Sequence, residues 1–377
     1  MVIHCTAKSQ FSMNPDQSLT ERQLLTQFLE VLRELPEVRA ELDHFDPIGG
    51  KSDRGYDAQI DLNIAGKSFI LVIEAKKTVY PRDVHQVLWQ FKEVNKHRSN
   101  GQGKERLPLL VAESISPGAK ELLREEHVGY FDSGGSFYLS APGTYLYIDK
   151  PPPKTLAKSV RSLFTGRRAQ VLHTLLVRHK EWFGVKDLAQ QAMVSPATAS
   201  EVLTELDRFD WMVARGQGPS KERNLREPAS LLDAWVKQLA TIRPLNLRRY
   251  YVPGIKPDVL LSRIAEAFDK HEAEYAVSYE AAAQRYAPFL SSVSQVRARL
   301  LLNSKAEAAI ADLGARAVNE GANLVIIEAK LSGELLFRER VGDIWLASPV
   351  QVYLDLLRGE GRAKEMAEHL RKERIGF

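Results

Sequence analysis

Apolar residues in the first third of the chain follow first a helical and then an alternating pattern. From Leu19 to Leu42 they recur at helical spacing, with a break at Pro36, which predicts an amphipathic first helix. Residues 58–64 and 68–76 are joined by Ala65-Gly66, which predicts two strands with a tight hairpin turn. Later apolar runs predict a helix over 117–126 and strands over 107–112, 128–131, 137–139 and 145–148. This order predicts an α/β domain with a small mixed sheet over residues 1–150.

Helical spacing returns after a joint marked by three consecutive prolines, Pro151 to Pro153. Residues 169–182 and 185–191 predict two helices, and Ser195-Pro196 is a strong start signal for a third. The predicted buried stripe of this third helix consists of Ala199, Val202, Leu203 and Leu206. Residues 211–215 and 224–226 then predict two short strands around a polar loop. We therefore expect a second domain, of three helices and a hairpin, over residues 151–240.

A second proline-marked joint, from Pro244 to Pro257, precedes the last domain, predicted over residues 241–377. It holds Arg248 to Tyr251, which we interpret as a packed linker, with phosphate contacts as the alternative. Beyond it, helical and strand-like segments alternate, which predicts a third, α/β domain. The segments are helix 258–268, strand 275–278, a helix from Glu280, strand 294–302, a helix opened by Ser348-Pro349, and helix 363–372.

Composition and charge narrow the function classes. The single cysteine, Cys5, excludes a disulfide framework and a cysteine-rich zinc site, and no apolar run is long enough to cross a bilayer. We therefore expect a cytoplasmic protein without a membrane partner. Residues 154–226 hold 13 Lys plus Arg against 7 Asp plus Glu, a net charge of +6, so the rest of the chain sums to −2. Nucleic acid is the natural partner of such a basic segment, although a solvated basic surface remains an alternative.

The hairpin register predicts a pair of carboxylates. If Ala65-Gly66 is a two-residue loop, paired positions sum to 131, and Asp57 lies opposite Glu74. Lys76 shares their face of the sheet, because side chains alternate along a strand. Two adjacent acids suit Mg²⁺, which activates water, and a lysine beside them can orient that water or counter developing charge.

Asp57 followed by Glu74-x-Lys76 on a hairpin resembles the PD-(D/E)XK nuclease superfamily, over residues 20 to 140. The resemblance implies a Mg²⁺-dependent site with Asp57 and Glu74 as metal ligands and Lys76 as catalytic cation. It also implies an acid from the first helix, Glu21 or Glu30, and a glutamine from the next helix, Gln86. Tyr56 stands where the family's motif has proline, although many members lack that proline. A strand end with exposed acids, and a nuclease-like domain that only binds, remain alternatives.

The third helix of the middle segment is the candidate for reading DNA. With its apolar stripe inward, Ala197, Thr198 and Ser200 point outward beside Ser195 and Glu201. Small polar residues there allow a helix to enter a major groove. The arrangement resembles the winged helix-turn-helix of bacterial transcription regulators, with a basic wing holding Arg215, Lys221 and Arg223. No cofactor is needed for such binding, and the resemblance implies double-stranded DNA and a homodimer on a two-fold site. A three-helix module for protein contacts is the alternative.

The segment Ser348-Pro349-Val350-Gln351-Val352-Tyr353-Leu354-Asp355-Leu356, with the glycine turn and helix that follow, resembles the end of AbiEi-family antitoxins of type IV toxin–antitoxin systems. The resemblance implies an antitoxin-like (nucleotidyltransferase-like) domain and a nucleotidyltransferase-like toxin as partner. In that family a winged helix precedes the module, and the protein represses its own operon. The extra N-terminal domain departs from the family's usual two-domain arrangement.

Two functions follow from these features. The first is a DNA-binding transcriptional regulator, and the second is a Mg²⁺-dependent endonuclease that the winged helix targets to DNA. A second Glu-x-Lys, Glu328-Ala329-Lys330, echoes the hairpin motif. The nearest suitably spaced upstream acid is Asp312, which falls on a predicted helix, so we interpret the echo as coincidence.

Overall fold

The computed structural model describes residues 19–45, 56–96, 104–152, 154–241, 245–254, 257–289 and 293–377. Cys5, Pro153 and Pro244 lie outside these ranges. The chain divides into two compact units, unit 1 (Met1–Ala157) and unit 2 (Lys158–Phe377). The further division of unit 2 at residue 240 stays a prediction. Across the described residues the fold is α/β with mixed sheets and 13 α-helices, and none of these helices is long and apolar enough to span a membrane.

Unit 1 is a seven-stranded sheet whose strands lie in chain order, so that β1 and β7 form its two edges. Its helices are α1 (Glu21–Glu34), α2 (Pro81–Lys96) and α3 (Pro117–Glu125). Its strands are β1 (Val38–Phe45), β2 (Ala58–Ile64), β3 (Lys67–Val79), β4 (Glu105–Ile115), β5 (Gly129–Asp132), β6 (Phe137–Ala141) and β7 (Thr144–Ile148). Strands β3, β4 and β5 are parallel neighbours and the other pairs are antiparallel.

The hairpin register predicted from the sequence is confirmed. Ile64 pairs with Lys67 and Ala58 with Ile73, so the paired positions sum to 131. Because side chains alternate along β3, Leu71 and Ile73 enter the core beneath α1, while Val72 packs in a second core with α2 and α3. Helices therefore cover both faces of this sheet.

The predicted first helix is too long. Helix α1 ends at Glu34, and Val38–Phe45, placed partly in that helix, forms the edge strand β1. This strand pairs with β2, about 20 residues later, and four of its eight side chains are exposed. Val38, Ala40 and Leu42 alternate with Arg39, Glu41 and Asp43, a strand pattern that the helical interpretation overrode.

The first part of unit 2 contains four helices, a hairpin and a fifth helix, in that order. The helices are α4 (Lys154–Leu163), which crosses the unit boundary, α5 (Gly166–Val177), α6 (Val185–Gln191), α7 (Pro196–Arg208) and α8 (Pro228–Leu239). Strands β8 (Met212–Arg215) and β9 (Glu222–Leu225) form the hairpin. Phe183, between α5 and α6, adds a bridge to Arg223 on β9. The predicted order of three helices and a hairpin is confirmed.

The rest of unit 2 surrounds a second, mixed seven-stranded sheet of order β13-β10-β14-β12-β11-β16-β15. Its strands are β10 (Leu247–Tyr251), β11 (Tyr275–Ser278), β12 (Val296–Leu301), β13 (Arg316–Ala317), β14 (Leu324–Ala329), β15 (Glu339–Val341) and β16 (Ile344–Leu346). Its helices are α9 (Pro257–Lys270), α10 (Tyr279–Tyr286), α11 (Ser304–Asp312), α12 (Pro349–Leu356) and α13 (Ala363–Leu370). Ser348 caps α12 as predicted, accepting from the Gln351 N–H at 3.2 Å.

The second joint is not a linker. Leu247–Tyr251 is strand β10, which pairs with β14 about 75 residues later. Arg248 on this strand pairs with Glu328 at 2.7 Å and with Glu307 at 3.2 Å. Arg248 is therefore held by carboxylates within unit 2. Glu328 is the acid of the echoed motif, while Asp312 lies on α11 and pairs with Lys270.

A buried polar network connects β12 to α12. Arg299 on β12 donates from its Nε to Asp355 Oδ2 at 2.9 Å, and Ser278 donates to the same oxygen at 2.6 Å. Arg299 and Asp355 are 6% and 1% exposed, so each charge depends on the other for compensation. His173 on α5 lies near this pair and shares a hydrogen bond with the Ser348 hydroxyl. Burial, together with the positive charge of Arg299, lowers the pKa of His173 to about 4.

The buried neutral His173 predicts acid sensitivity of unit 2. In the unfolded chain this group titrates near pH 6.5, whereas in the fold it stays neutral down to about pH 4. Its contribution to stability is therefore complete above pH 6.5 and is lost as the pH falls toward 4, by at most about 1.4 kcal/mol per pH unit. His173→Gln should flatten this dependence in urea unfolding followed by tryptophan fluorescence. His369→Gln is the control, and equal slopes for the two variants would contradict the prediction.

Candidate functional site

Helix α7 begins with the capping geometry predicted from the sequence. The Ser195 hydroxyl accepts from the Thr198 N–H at 3.2 Å, and Pro196 occupies the first turn. The preceding turn places Met193 at φ 53°, in the left-handed region that a residue other than glycine rarely adopts. Met193 is also 57% exposed. A strained turn thus brings α6 and α7 together and presents the start of α7 to solvent.

The two faces of α7 separate as predicted. Its buried residues are Ala199, Val202, Leu203 and Leu206. Ser195, Ala197 and Ser200 are exposed, and Thr198 is half-buried by its contact with Ser195. The exposed face near the helix start therefore carries short side chains, which allow close approach of another molecule.

Positive charge lies beside this exposed face. Arg168, near the start of α5, pairs with Glu201 on α7 at 2.7 Å. That pair places the N-terminal end of α5, including the exposed Arg167, next to α7. Lys186 on α6 is exposed as well. The N-terminal end of α5 and the exposed face of α7 therefore lie side by side, and α6, which packs against α7, carries the further exposed cation Lys186.

The three basic residues predicted on the hairpin have different roles. Arg215 is exposed, pairs with Glu222 at 2.7 Å and lies over the Trp182 ring at 4.3 Å. Lys221 is half-buried next to the turn that joins the strands. The Arg223 side chain is only 12% exposed and pairs with Asp207 of α7 at 3.2 Å. The geometry therefore places Arg223 as a link between hairpin and helix rather than as an exposed cation.

A carboxylate cluster lies at the start of β2 in unit 1. The Asp57 N–H donates to the Ile73 carbonyl at 2.9 Å, and Asp57 Oδ2 accepts from the Ala75 N–H at 2.7 Å. Lys76 Nζ lies 2.6 Å from Glu74 Oε1. The three residues that the register predicts on one face are thus neighbours.

The Glu74 side chain is buried, although a charged carboxylate is more stable in water. Burial raises the pKa of Glu74, and the negative charge of Asp57 raises it further, while the hydrogen bond from Lys76 acts in the opposite direction. Gln90 on α2 also hydrogen-bonds the Glu74 side chain. A carboxylate held in this way is typical of a site that receives a proton or a cation.

The remaining residues of the implied nuclease site are placed differently. Gln86 is exposed, and Gln90, one helical turn later, is the residue that reaches Glu74. Helical phase puts positions 86 and 90 on the same face of α2, which is the signal that could have indicated Gln90. Glu21 and Glu30 are on α1, which covers the opposite face of the sheet, and Glu30 is exposed.

Within the described residues, no group of three or more His, Cys, Asp or Glu side chains is arranged to hold a metal ion. Asp57 and Glu74 form a pair of acids only. A pair is sufficient for Mg²⁺ when water completes its coordination.

Comparison with known proteins yields one structural similarity. No protein-family model matches the chain, and a search of curated proteins found no significant match. Among solved structures, the crystal structure of NolR from Sinorhizobium fredii is similar, at 16% sequence identity and a TM-score of 0.17. The similarity covers 24% of this chain and 95% of NolR. A TM-score this low carries no argument about function.

The burial of Glu74 predicts that its charge destabilises unit 1 at neutral pH. Because the folded pKa is raised, the stability contributed by the protonated form is present below the unfolded value of 4.5 and is lost as the pH rises through the folded pKa. Glu74→Gln should therefore slow hydrogen exchange severalfold in peptides from β3 at pH 7, with little effect at pH 4. Glu105→Gln, on exposed Glu105 at the start of β4, is the control. Faster exchange in Glu74→Gln at pH 7 would contradict the prediction.

Proposed function

We propose that this protein is a DNA-binding transcriptional regulator that reads duplex DNA with α7 and the β8–β9 hairpin, in the manner of a winged helix. The observation that carries the proposal is the exposed start of α7, where Ser195, Ala197 and Ser200 project away from a fully buried apolar stripe. A helix that presents short side chains at its start fits the width of the major groove.

Phosphate contacts would surround this helix. Arg167 near the start of α5, Lys186 on α6 and Lys221 on the hairpin supply cations on elements that flank α7. Such contacts set the register of a protein on DNA and make its affinity fall steeply with salt. Arg223 acts through Asp207 by fixing the hairpin against α7, so it is a positioning residue in this arrangement. A homodimer would place two copies of α7 on a two-fold operator.

The C-terminal part of unit 2 supports a finer proposal. Its resemblance to AbiEi-family antitoxins suggests that the protein represses its own operon and antagonises a nucleotidyltransferase-like toxin. The confirmed start of α12 at Ser348-Pro349 agrees with the segment on which that resemblance is based. A toxin gene of this class beside the gene for this protein is the expected genomic setting.

A negative charge on the exposed face of α7 should weaken DNA binding. Ser200→Glu adds a carboxylate where the helix would meet bases and phosphates, so affinity for duplex DNA should fall by about tenfold or more. Fluorescence anisotropy with labelled duplexes, at about 50 mM and about 200 mM salt, measures both the affinity and its dependence on salt.

Ser262→Glu is the matched control, because Ser262 is an exposed serine on α9 of the same unit. It adds the same charge away from α7 and should leave affinity unchanged. Equal affinities for the wild type and Ser200→Glu, or equal losses in the two variants, would remove α7 from the interface.

The carboxylate cluster favours a second candidate function, a Mg²⁺-dependent DNA endonuclease of the PD-(D/E)XK type. The specific observation is that Asp57, Glu74 and Lys76 are neighbours, and that burial, with a further contribution from the charge of Asp57, raises the pKa of Glu74. A divalent cation there would relieve the repulsion between the two acids and lower the pKa of bound water. Asp57 and Glu74 would hold the ion, Lys76 would orient water or counter developing charge, and Gln90 would position the Glu74 carboxylate.

This candidate predicts nicking of supercoiled plasmid DNA in the presence of Mg²⁺ or Mn²⁺. Glu74→Gln keeps the size of the side chain but removes a metal-binding charge, so nicking should fall by roughly a hundredfold or more. The control Glu105→Gln should retain full activity, measured by gel electrophoresis with time. No nicking by the wild type with either ion would eliminate this candidate while leaving the DNA-binding proposal intact.

A further inference from the structure

Unit 2 contains a pocket between α5 and the second sheet that neither proposed function uses. Its volume is about 340 Å³, which lies within the size range of small-molecule sites. Gln170 of α5, Arg299 of β12, and Lys330 and Glu334, which follow β14, line it together. The pocket therefore brings together side chains from elements that are far apart in sequence.

Gln170 is the first indication of a ligand. It is 7% exposed, and its side-chain amide lines the pocket without a hydrogen bond to any residue that the structure describes. The amide reaches the space inside the pocket, where it can donate to and accept from the polar groups of a ligand. Gly333 packs closely against Gln170, since a Cβ at this position would lie 2.3 Å from the amide Nε2. The amide is thus confined beside the pocket.

The charges around the pocket indicate the class of ligand. Arg299 is already neutralised by Asp355. Lys330 and Glu334 line the pocket, and Glu334 Oε1 accepts from the Lys330 N–H at 3.1 Å. The charge of Glu334 also acts on Arg299, and that of Lys330 on Glu328, but neither residue forms a direct ion pair within the described parts of the chain. One cation and one anion therefore face the same site. A ligand that carries both an anionic and a cationic group matches this pair, whereas a simple anion would leave Glu334 as a repulsive neighbour.

His173 and Gln351 complete the polar lining, and two large side chains give the pocket an apolar part. Trp235 of α8 is 7% exposed at the pocket, and Leu331 is 45% exposed beside it. These two side chains offer a surface for a hydrocarbon group, which would gain roughly 25 cal/mol per Å² of apolar area removed from water.

We propose that this pocket binds a small zwitterion of the α-amino-acid class with an apolar side chain. The ligand carboxylate lies toward Lys330, its ammonium group toward Glu334, and its side chain against Trp235 and Leu331, with the Gln170 amide completing the polar contacts. Binding of this ligand is independent of DNA binding and of the carboxylate cluster. The ligand nevertheless contacts α5, which packs against α7 in the same hydrophobic core.

The test uses the full chain and three related probes in isothermal titration calorimetry. L-Leucine carries both charges, N-acetyl-L-leucine only the negative charge, and L-leucinamide only the positive charge. L-Leucine should bind at least about tenfold more tightly than either single-charge probe, because each lost ion pair leaves a protein charge without a partner. Equal binding of N-acetyl-L-leucine, or no binding of any probe, would overturn the proposal.

Two conservative variants locate the site. Lys330→Gln and Glu334→Gln each remove one charge while keeping a polar side chain of similar size, and each should weaken L-leucine binding by about tenfold. Lys364→Gln, at an exposed position on α13, is the matched control and should bind as the wild type does. Melting temperatures without ligand check that all three variants fold. Folded variants at 330 and 334 that bind L-leucine unchanged would place any binding elsewhere and refute this assignment.

Discussion

The buried ion pair between Arg299 and Asp355 determines how the elements of unit 2 fit together. Two charges inside a protein are tolerated only when each compensates the other, and removing one leaves an unpaired charge that costs several kcal/mol. The pair therefore fixes α12 against β12. Ser278, at the end of β11, adds a hydrogen bond to Asp355. His173 of α5 hydrogen-bonds Ser348, the residue that caps α12. Through α5, which packs against α7 in the same hydrophobic core, this group of buried polar contacts connects the second sheet and α12 to the proposed DNA-reading helix.

Local signals in the sequence predicted local structure well. The Ser-Pro pairs at 195–196 and 348–349 mark helix starts because the serine hydroxyl and the proline ring satisfy the first turn without help from distant residues. The hairpin register followed from a two-residue turn and the alternation of side chains, and it placed Asp57, Glu74 and Lys76 together. These features depend on residues within about 20 positions of one another.

Features decided by distant residues could not be predicted. Strand β10 forms because β14 supplies its hydrogen-bonding partners, and it has no clear apolar pattern of its own. Strand β1 does carry a strand signal, since Val38, Ala40 and Leu42 alternate with charged residues, but the helical spacing of the residues before it was extended over it. Arg223 resembles an exposed cation in the sequence, but Asp207 holds it against α7. Helical phase offered both Gln86 and Gln90, which share one face of α2, and the packing of α2 decides that Gln90 is the residue that reaches Glu74.

The order of strands in unit 1 has a consequence for self-association of the chain. Both edges of an open sheet present backbone groups that can pair with a strand from another molecule. Edge strand β1 carries Arg39, Glu41 and Asp43, whose charges oppose such pairing. Edge strand β7 instead exposes Tyr145 and Tyr147, at 65% and 45%, which are good partners in cross-strand contacts. Strand β7 is therefore the sheet edge that is less protected against pairing with a strand of another molecule, and aggregation of this protein at high concentration would begin there.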